Sequence, residues 1–165
     1  MDLCDKVAVI TGSARGIGRA IAVLLLEAGA RVCLSNVNKD KGESTLNELQ
    51  ERFGRLKVFY CQCDVTKEDE VKDLFDKAEE YFNVNCVDIL VNNAGVNVNL
   101  GWGKCMDVNL MAAISVTMIA LERMNKAGKP CQIINNSSIG MSGLYDLLTR
   151  LNNFSWVSCW CSSWF

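Results

Sequence analysis

The sequence predicts an α/β fold, a doubly wound three-layer parallel sheet left incomplete at its C-terminal edge. Short apolar runs alternate five times with helical stretches, the connections are short, and the rhythm breaks after about residue 143. Parallel neighbours require crossover connections, which helices supply, so this alternation argues for a parallel sheet covered on both faces. With 165 residues, 50% hydrophobic and 22% charged, the chain can bury one core and is too short for two ordinary domains.

The run from Lys6 to Thr11, ending in Gly12, reads as a strand buried on both faces. Ile17, Ile21, Leu24, Leu25 and Ala28 then fall at helical spacing, and Gly29 closes that helix as its C-terminal cap. Arg31 to Ser35 is the second strand. Leu46, Leu49 and Phe53 mark one face of a second helix, followed by a third strand from Lys57 to Cys63. Thr66 with Asp69 three residues on predicts the next helix start, and Val71, Leu74, Phe75, Ala78 and Phe82 form its apolar stripe. Val87 to Val91 is the fourth strand. From Lys104 to about Lys126 comes a helix apolar nearly all round, expected to be buried on more than one side. Gln132 to Asn136 is the fifth strand.

Residues 1–143 are thus expected to form one α/β domain, and residues 144–165 a divergent tail. The tail holds three of the four tryptophans (Trp156, Trp160, Trp164) and only two charges, Asp146 and Arg150. Leu144 to Leu151 has helical spacing, but Ser155 to Phe165 has neither a charged face nor turn punctuation. Two readings stand: an unusual C-terminal helix, or an ending from an alternative exon or shifted frame. The abrupt loss of local consistency favours the second.

A net charge of −2, with both signs interspersed, offers no basic stripe for a nucleic acid, which is excluded as an expected partner. The N-terminus lacks a signal pattern, and the apolar run Ala20 to Leu26 is far below the roughly 18 residues of a spanning helix. A cytoplasmic protein without a membrane span is expected. The nine cysteines are scattered and odd in number, a pattern of free thiols rather than bridges. Two Cys-x-Cys pairs occur, Cys61/Cys63 and Cys159/Cys161, but with no histidine to complete a ligand set no metal is expected. The same absence removes mechanisms built on a Ser-His or Cys-His pair.

Thr11 to Gly18 places three glycines where the first strand turns into the first helix. Glycine lets backbone approach a pyrophosphate, and a helix N-terminus offers unpaired N–H groups with a favourable dipole. The spacing Gly12, Gly16, Gly18, the run Asn92-Asn93-Ala94-Gly95 after the fourth strand, and Asp64-Val65 after the third all stand intact. Together they resemble the short-chain dehydrogenase/reductase family, over about Lys6 to Gly143.

The resemblance implies a Rossmann-like fold holding a nicotinamide dinucleotide. It implies that Asp64 accepts from the adenine amino group, that Val65 offers its backbone to the ring, and that Asn93 and Gly95 line the floor under ribose and nicotinamide. Further cofactor contacts are implied for Ser13, Arg15, Ile17, Val37 and Cys63. Asn92 has a second reading, holding neighbouring strands together. Asn36, at the end of the second strand, can hydrogen-bond a ribose 2′-hydroxyl but lacks the charge that repels a 2′-phosphate, which leans to NAD over NADP. Arg15 can reach a phosphate or serve as a solvated loop charge.

For catalysis, the family resemblance assigns Asn109 to a proton relay and Ser138 to the substrate oxygen. A tyrosine, its pKa lowered by a lysine four residues on, supplies acid or base in this family. That pair has no counterpart here: the only later tyrosine is Tyr145, followed at the lysine position by Thr149, and no lysine follows Lys129. Three hypotheses therefore stand. The first is an NAD-dependent oxidoreductase acting, in its complete form, on a secondary alcohol or ketone, with hydroxy fatty acids and prostaglandin-like lipids among the candidates. The second is a truncated cofactor-binding isoform that forms homo-oligomers through the Lys104–Lys126 helix. The third is a fragment that does not fold stably because its sheet edge is open.

Overall fold

In the computed structural model, which describes residues 3–128 and 130–136, the apolar run Val7–Thr11 forms β1 with every residue buried. Helix α1 (Gly16–Glu27) follows, then β2 (Arg31–Asn36), α2 (Lys39–Phe53), β3 (Val58–Gln62), α3 (Glu68–Phe82) and β4 (Ile89–Asn92). A continuous helical stretch comes next: α4 (Trp102–Met106), a π-helical turn (Asp107–Met111) and α5 (Ala112–Ala127). Strand β5 (Gln132–Asn135) is the last described element. All pairings are parallel, in the order β3-β2-β1-β4-β5.

The sheet has two apolar faces because side chains alternate along a strand. Val7 and Val9 point into one core with α3 and α5, through Val71, Leu74, Phe75, Val116 and Ala120. Ala8 and Ile10 point into the other, with Ala22 and Leu26 of α1 and Leu49 of α2. This is the three-layer, Rossmann-like α/β arrangement, in which a strand buried on both faces reads as a continuous apolar run. β5 is the edge of the described sheet, and of its residues only Ile133 is partly buried.

Two expectations about local structure are corrected. Thr66 does not cap α3: the helix begins at Glu68, and the Thr66 hydroxyl and N–H both donate to Asp64 Oδ1, at 2.7 and 3.1 Å. The threonine closes a turn on the aspartate, and the acidic first turn Glu68, Asp69 and Glu70 complements the helix dipole. The long apolar helix is also not buried on several sides. Ala112, Val116, Ala120 and Met124 form its inward stripe, whereas Met106, Leu110, Met111, Ile114, Met118 and Leu121 are exposed among the described residues. By length and composition the stretch Trp102–Ala127 could cross a membrane. Lys104, Asp107 and Asn109 break its apolar run in the sequence without making the helix polar.

Candidate functional site

The strand order reverses at β1, with β2 on one side and β4 on the other. At such a switch point the loops leaving the strands part and open a crevice, where ligands bind in open α/β sheets. The cofactor positions expected from the sequence fall at the carboxyl end of β2, in the loops at this edge or at the start of α1.

Arg15 sits at the N-cap of α1 in extended backbone and makes no side-chain cap, and the first turn carries no acidic residue. The first bond of the helix runs from Arg19 N–H to Arg15 O at 3.3 Å. The N–H groups of Gly16, Ile17 and Gly18 precede it and have no partner within the helix. Gly16 has φ of +56°, and a Cβ there would meet nothing within 4 Å. Ile17 is exposed beside it. The result is an open, electropositive cradle of backbone donors.

The other two glycines serve a different contact. A Cβ on Gly12 would stand 2.8 Å from Ala94 Cα, and one on Gly18 would stand 2.4 Å from Asn93 Nδ2 and 2.7 Å from Gly12 O. They are small because the β4 loop crosses directly over the β1 turn. Asn93 Nδ2 donates to Thr11 O at 3.0 Å and Gly12 O at 3.1 Å. Thr11 Oγ1 accepts from Asn93 N–H and Ala94 N–H, both at 3.0 Å. Asn136 Nδ2 donates to Asn93 Oδ1 at 2.9 Å, which adds the end of β5 to the network.

Ser13 is fully buried and bonds β2, its Oγ accepting from Ser35 N–H at 2.9 Å. Thr45 of α2 donates to Ala14 O at 2.9 Å, which fixes the turn from the other side. Asn92 Nδ2 reaches Thr117 Oγ1 and Asn135 Oδ1, each at 2.9 Å, so this side chain ties β4 to α5 and β5. Thr11, Thr45 and Asn136 were not singled out from the sequence. A threonine ending a buried strand just before a glycine turn was the signal available for the first; the others become visible only through tertiary contacts.

Asn36 ends β2 half-buried, and its side-chain amide makes no hydrogen bond among the described residues. Val37 beside it is exposed. Cys63 is buried, and burial pushes its thiol up to about 12. Asp64 spends Oδ1 on Thr66, while Oδ2 makes no hydrogen bond among the described residues. The Thr66 hydroxyl bond lowers the Asp64 pKa against the opposing effect of burial, so the carboxylate is ionised and keeps an acceptor open. Val65, partly buried, packs its side chain on the core.

Asn109 lies in the π-helical turn and faces the loop after β4. Its Oδ1 accepts from Val96 N–H at 2.8 Å, and its Nδ2 donates to Val96 O at 2.9 Å. A Cβ on Gly95 would come 3.6 Å from Asn109 Oδ1. Asn109 thus fastens the segment leading out of Asn93 and Gly95. Ser138, Tyr145, Thr149 and the tail 144–165 lie outside the described residues. Among the described residues, Cys61 and Cys63 belong to no group of three or more side chains able to hold a metal.

Residues 6–146 match the family model for short chain dehydrogenases. The chain belongs to the short chain dehydrogenase family. It is 42% identical over 141 residues to 15-hydroxyprostaglandin dehydrogenase (NAD(+)) of Homo sapiens, a match covering 84% of this chain and 52% of that protein. The enzyme of that name from Macaca fascicularis gives the same figures, 42% over 141 residues, 84% and 52%. A short chain dehydrogenase structure from Mycobacterium smegmatis superposes with a TM-score of 0.76 at 29% identity, covering 84% of this chain and 60% of that one. The chain therefore spans about half the length of the curated relatives it matches.

Within a short chain dehydrogenase, these residues fit a dinucleotide. A Cβ at Gly16 would meet nothing within 4 Å, the N–H groups of Gly16 to Gly18 have no partner within the helix, and Asn36 and Asp64 keep side-chain polar atoms without hydrogen bonds among the described residues.

Proposed function

We propose that this chain binds NAD(H) along the carboxyl edge of its sheet. In this reading the pyrophosphate rests at the N–H groups of Gly16 to Gly18, the adenosine ribose meets Asn36, and the adenine amino group meets Asp64 Oδ2. The nicotinamide end lies over Asn93 and Gly95. The open space at Gly16, combined with its left-handed backbone, is the observation that carries the reading. Asn36 favours NAD because it bonds a 2′-hydroxyl, and the names of the mammalian relatives, which specify NAD(+), support the same choice.

The reaction we assign to the complete fold is hydride exchange with a secondary alcohol, a hydroxy fatty acid or prostaglandin-like lipid being the candidate class. The nicotinamide, when bound, supplies the carbon that takes or gives the hydride. This chain's Asn109 holds the loop under that ring, and Ser138 is assigned to orient the alcohol oxygen. After Ser138 the sequence has no tyrosine followed four residues on by a lysine, the pair that would move the hydroxyl proton. We therefore infer that the 165-residue chain binds NAD without turning alcohols over, since a positioned acid or base typically contributes about 10² to 10⁴-fold.

The test is a calorimetric titration with NADH, paired with an assay on NAD and a panel of secondary alcohols. Binding that Gly16→Asn abolishes, without turnover, supports both parts. Equal affinity in Gly16→Asn contradicts the site, and robust turnover contradicts the second inference.

A further inference from the structure

Three backbone carbonyls in the turn between β2 and α2 are held from β3. Asn36 O accepts from the Tyr60 hydroxyl at 3.0 Å and from the Cys63 N–H at 3.2 Å. Val37 O accepts from Gln62 Nε2 at 3.1 Å, and Asn38 O lies 3.3 Å from the same Tyr60 hydroxyl. A phenol has one proton, so Tyr60 shares it between two carbonyls and favours the nearer. Burial pushes the Tyr60 phenol up to about 12, which keeps it a donor throughout the physiological range.

The packing around this ring is specific. A Cβ on Gly42, in the first turn of α2, would come 2.1 Å from Tyr60 Cε2 and Cζ. Glycine at 42 is what admits the ring between helix and strand and lets its hydroxyl reach the turn. Asn38 continues the arrangement, its Oδ1 capping α2 by accepting from Lys41 N–H at 2.9 Å. The backbone of Asn36 to Asn38 is thereby pinned at every carbonyl, while the Asn36 side-chain amide is left for a ligand.

We propose that Tyr60 and Gln62 are positioning residues that hold the Asn36 amide in register with the adenosine 2′-hydroxyl of a bound dinucleotide. The inference rests on the dinucleotide reading above. A turn fixed before binding loses less entropy when the ligand arrives, so removing a pin weakens the contact that the turn presents. A tyrosine that merely packed α2 onto β3 would affect every ligand of the site alike.

The experiment measures NADH and 2′-deoxy-NADH binding to the 165-residue chain and to Tyr60→Phe and Gln62→Ala. Loss of one hydrogen bond that orders the turn is expected to weaken NADH by about two- to ten-fold. Binding of 2′-deoxy-NADH, which lacks the group that Asn36 meets, is expected to keep its wild-type affinity. Parallel weakening of both ligands, or no weakening of either, overturns the positioning role. Gln62→Ala changes an exposed side chain and carries the test by itself if Tyr60→Phe does not fold. Failure of the wild-type chain to bind NADH, or binding unaffected by Gly16→Asn, instead overturns the dinucleotide reading, and the inference falls with it.

Discussion

The Asn93 side chain spans two consecutive carbonyls of the β1 turn, donating to Thr11 O at 3.0 Å and Gly12 O at 3.1 Å, and so joins the two loops that flank the switch point of the sheet. Gly18 lies directly beneath that amide. Asn93→Ala leaves carbonyls without their partner and is expected to cost about 1–3 kcal/mol. Gly18→Ala forces a methyl group into the same contact, at about 1–3 kcal/mol. Urea denaturation checks both, and an unchanged midpoint in either variant contradicts the packing described.

The fold was legible in the sequence because strands buried on both faces read as unbroken apolar runs, as at Val7 to Ile10, and because Gly29 and the stripe from Val71 to Phe82 punctuate helices plainly. The three glycines were legible as a turn, but not as two kinds of glycine. Only the tertiary contact with Asn93 shows that Gly12 and Gly18 make room for the protein's own chain, while Gly16 faces open space. Exposure of the α4–α5 outer face was hidden for a similar reason: an apolar residue such as Met118 reads alike whether it meets a core or another surface.

In the proposed site, cofactor choice is expected to follow the charge at the end of β2. Asn36→Asp places a carboxylate against a 2′-phosphate and is expected to widen the preference for NADH over NADPH by about ten-fold or more. Competition binding with the two reduced dinucleotides measures this. Tighter NADPH binding in the unmodified chain, lost on Arg15→Ala, would reverse the assignment.

Stability is expected to fall in alkali. Burial raises the pKa of the Cys33 and Cys63 thiols in the folded chain, the latter to about 12, whereas an unfolded cysteine ionises near about 8.5. The folded state then holds protons that the unfolded state releases. This contribution is fully present below about pH 8.5 and is lost as pH rises through the folded values. Denaturation midpoints at pH 8 and pH 10.5 should therefore differ, and Cys63→Ala should shrink the difference. A midpoint independent of pH, with Cys33 alkylated as fast as the exposed Cys4, would contradict the burial of these thiols.

The exposed face formed by Met111, Ile114, Met118 and Leu121 is the contact through which we expect copies of this chain to associate. Met118→Lys puts a charge in the middle of that apolar face, where burial would demand a partner. Sedimentation velocity is expected to show oligomers in the wild type and monomers in Met118→Lys. A monomeric wild type at high micromolar concentration would remove the contact.

The dinucleotide site itself is tested most directly by amide hydrogen exchange of the 165-residue chain with and without saturating NADH. The predicted result is slowed exchange at Gly16 to Gly18, Asn36 to Asn38, Asp64 to Val65 and Asn93 to Gly95, all at one edge of the sheet, with no change at Asn83 to Cys86 beyond the opposite edge. Unchanged exchange at Gly16 to Gly18, or protection confined to the segment around Asn83, would contradict the account.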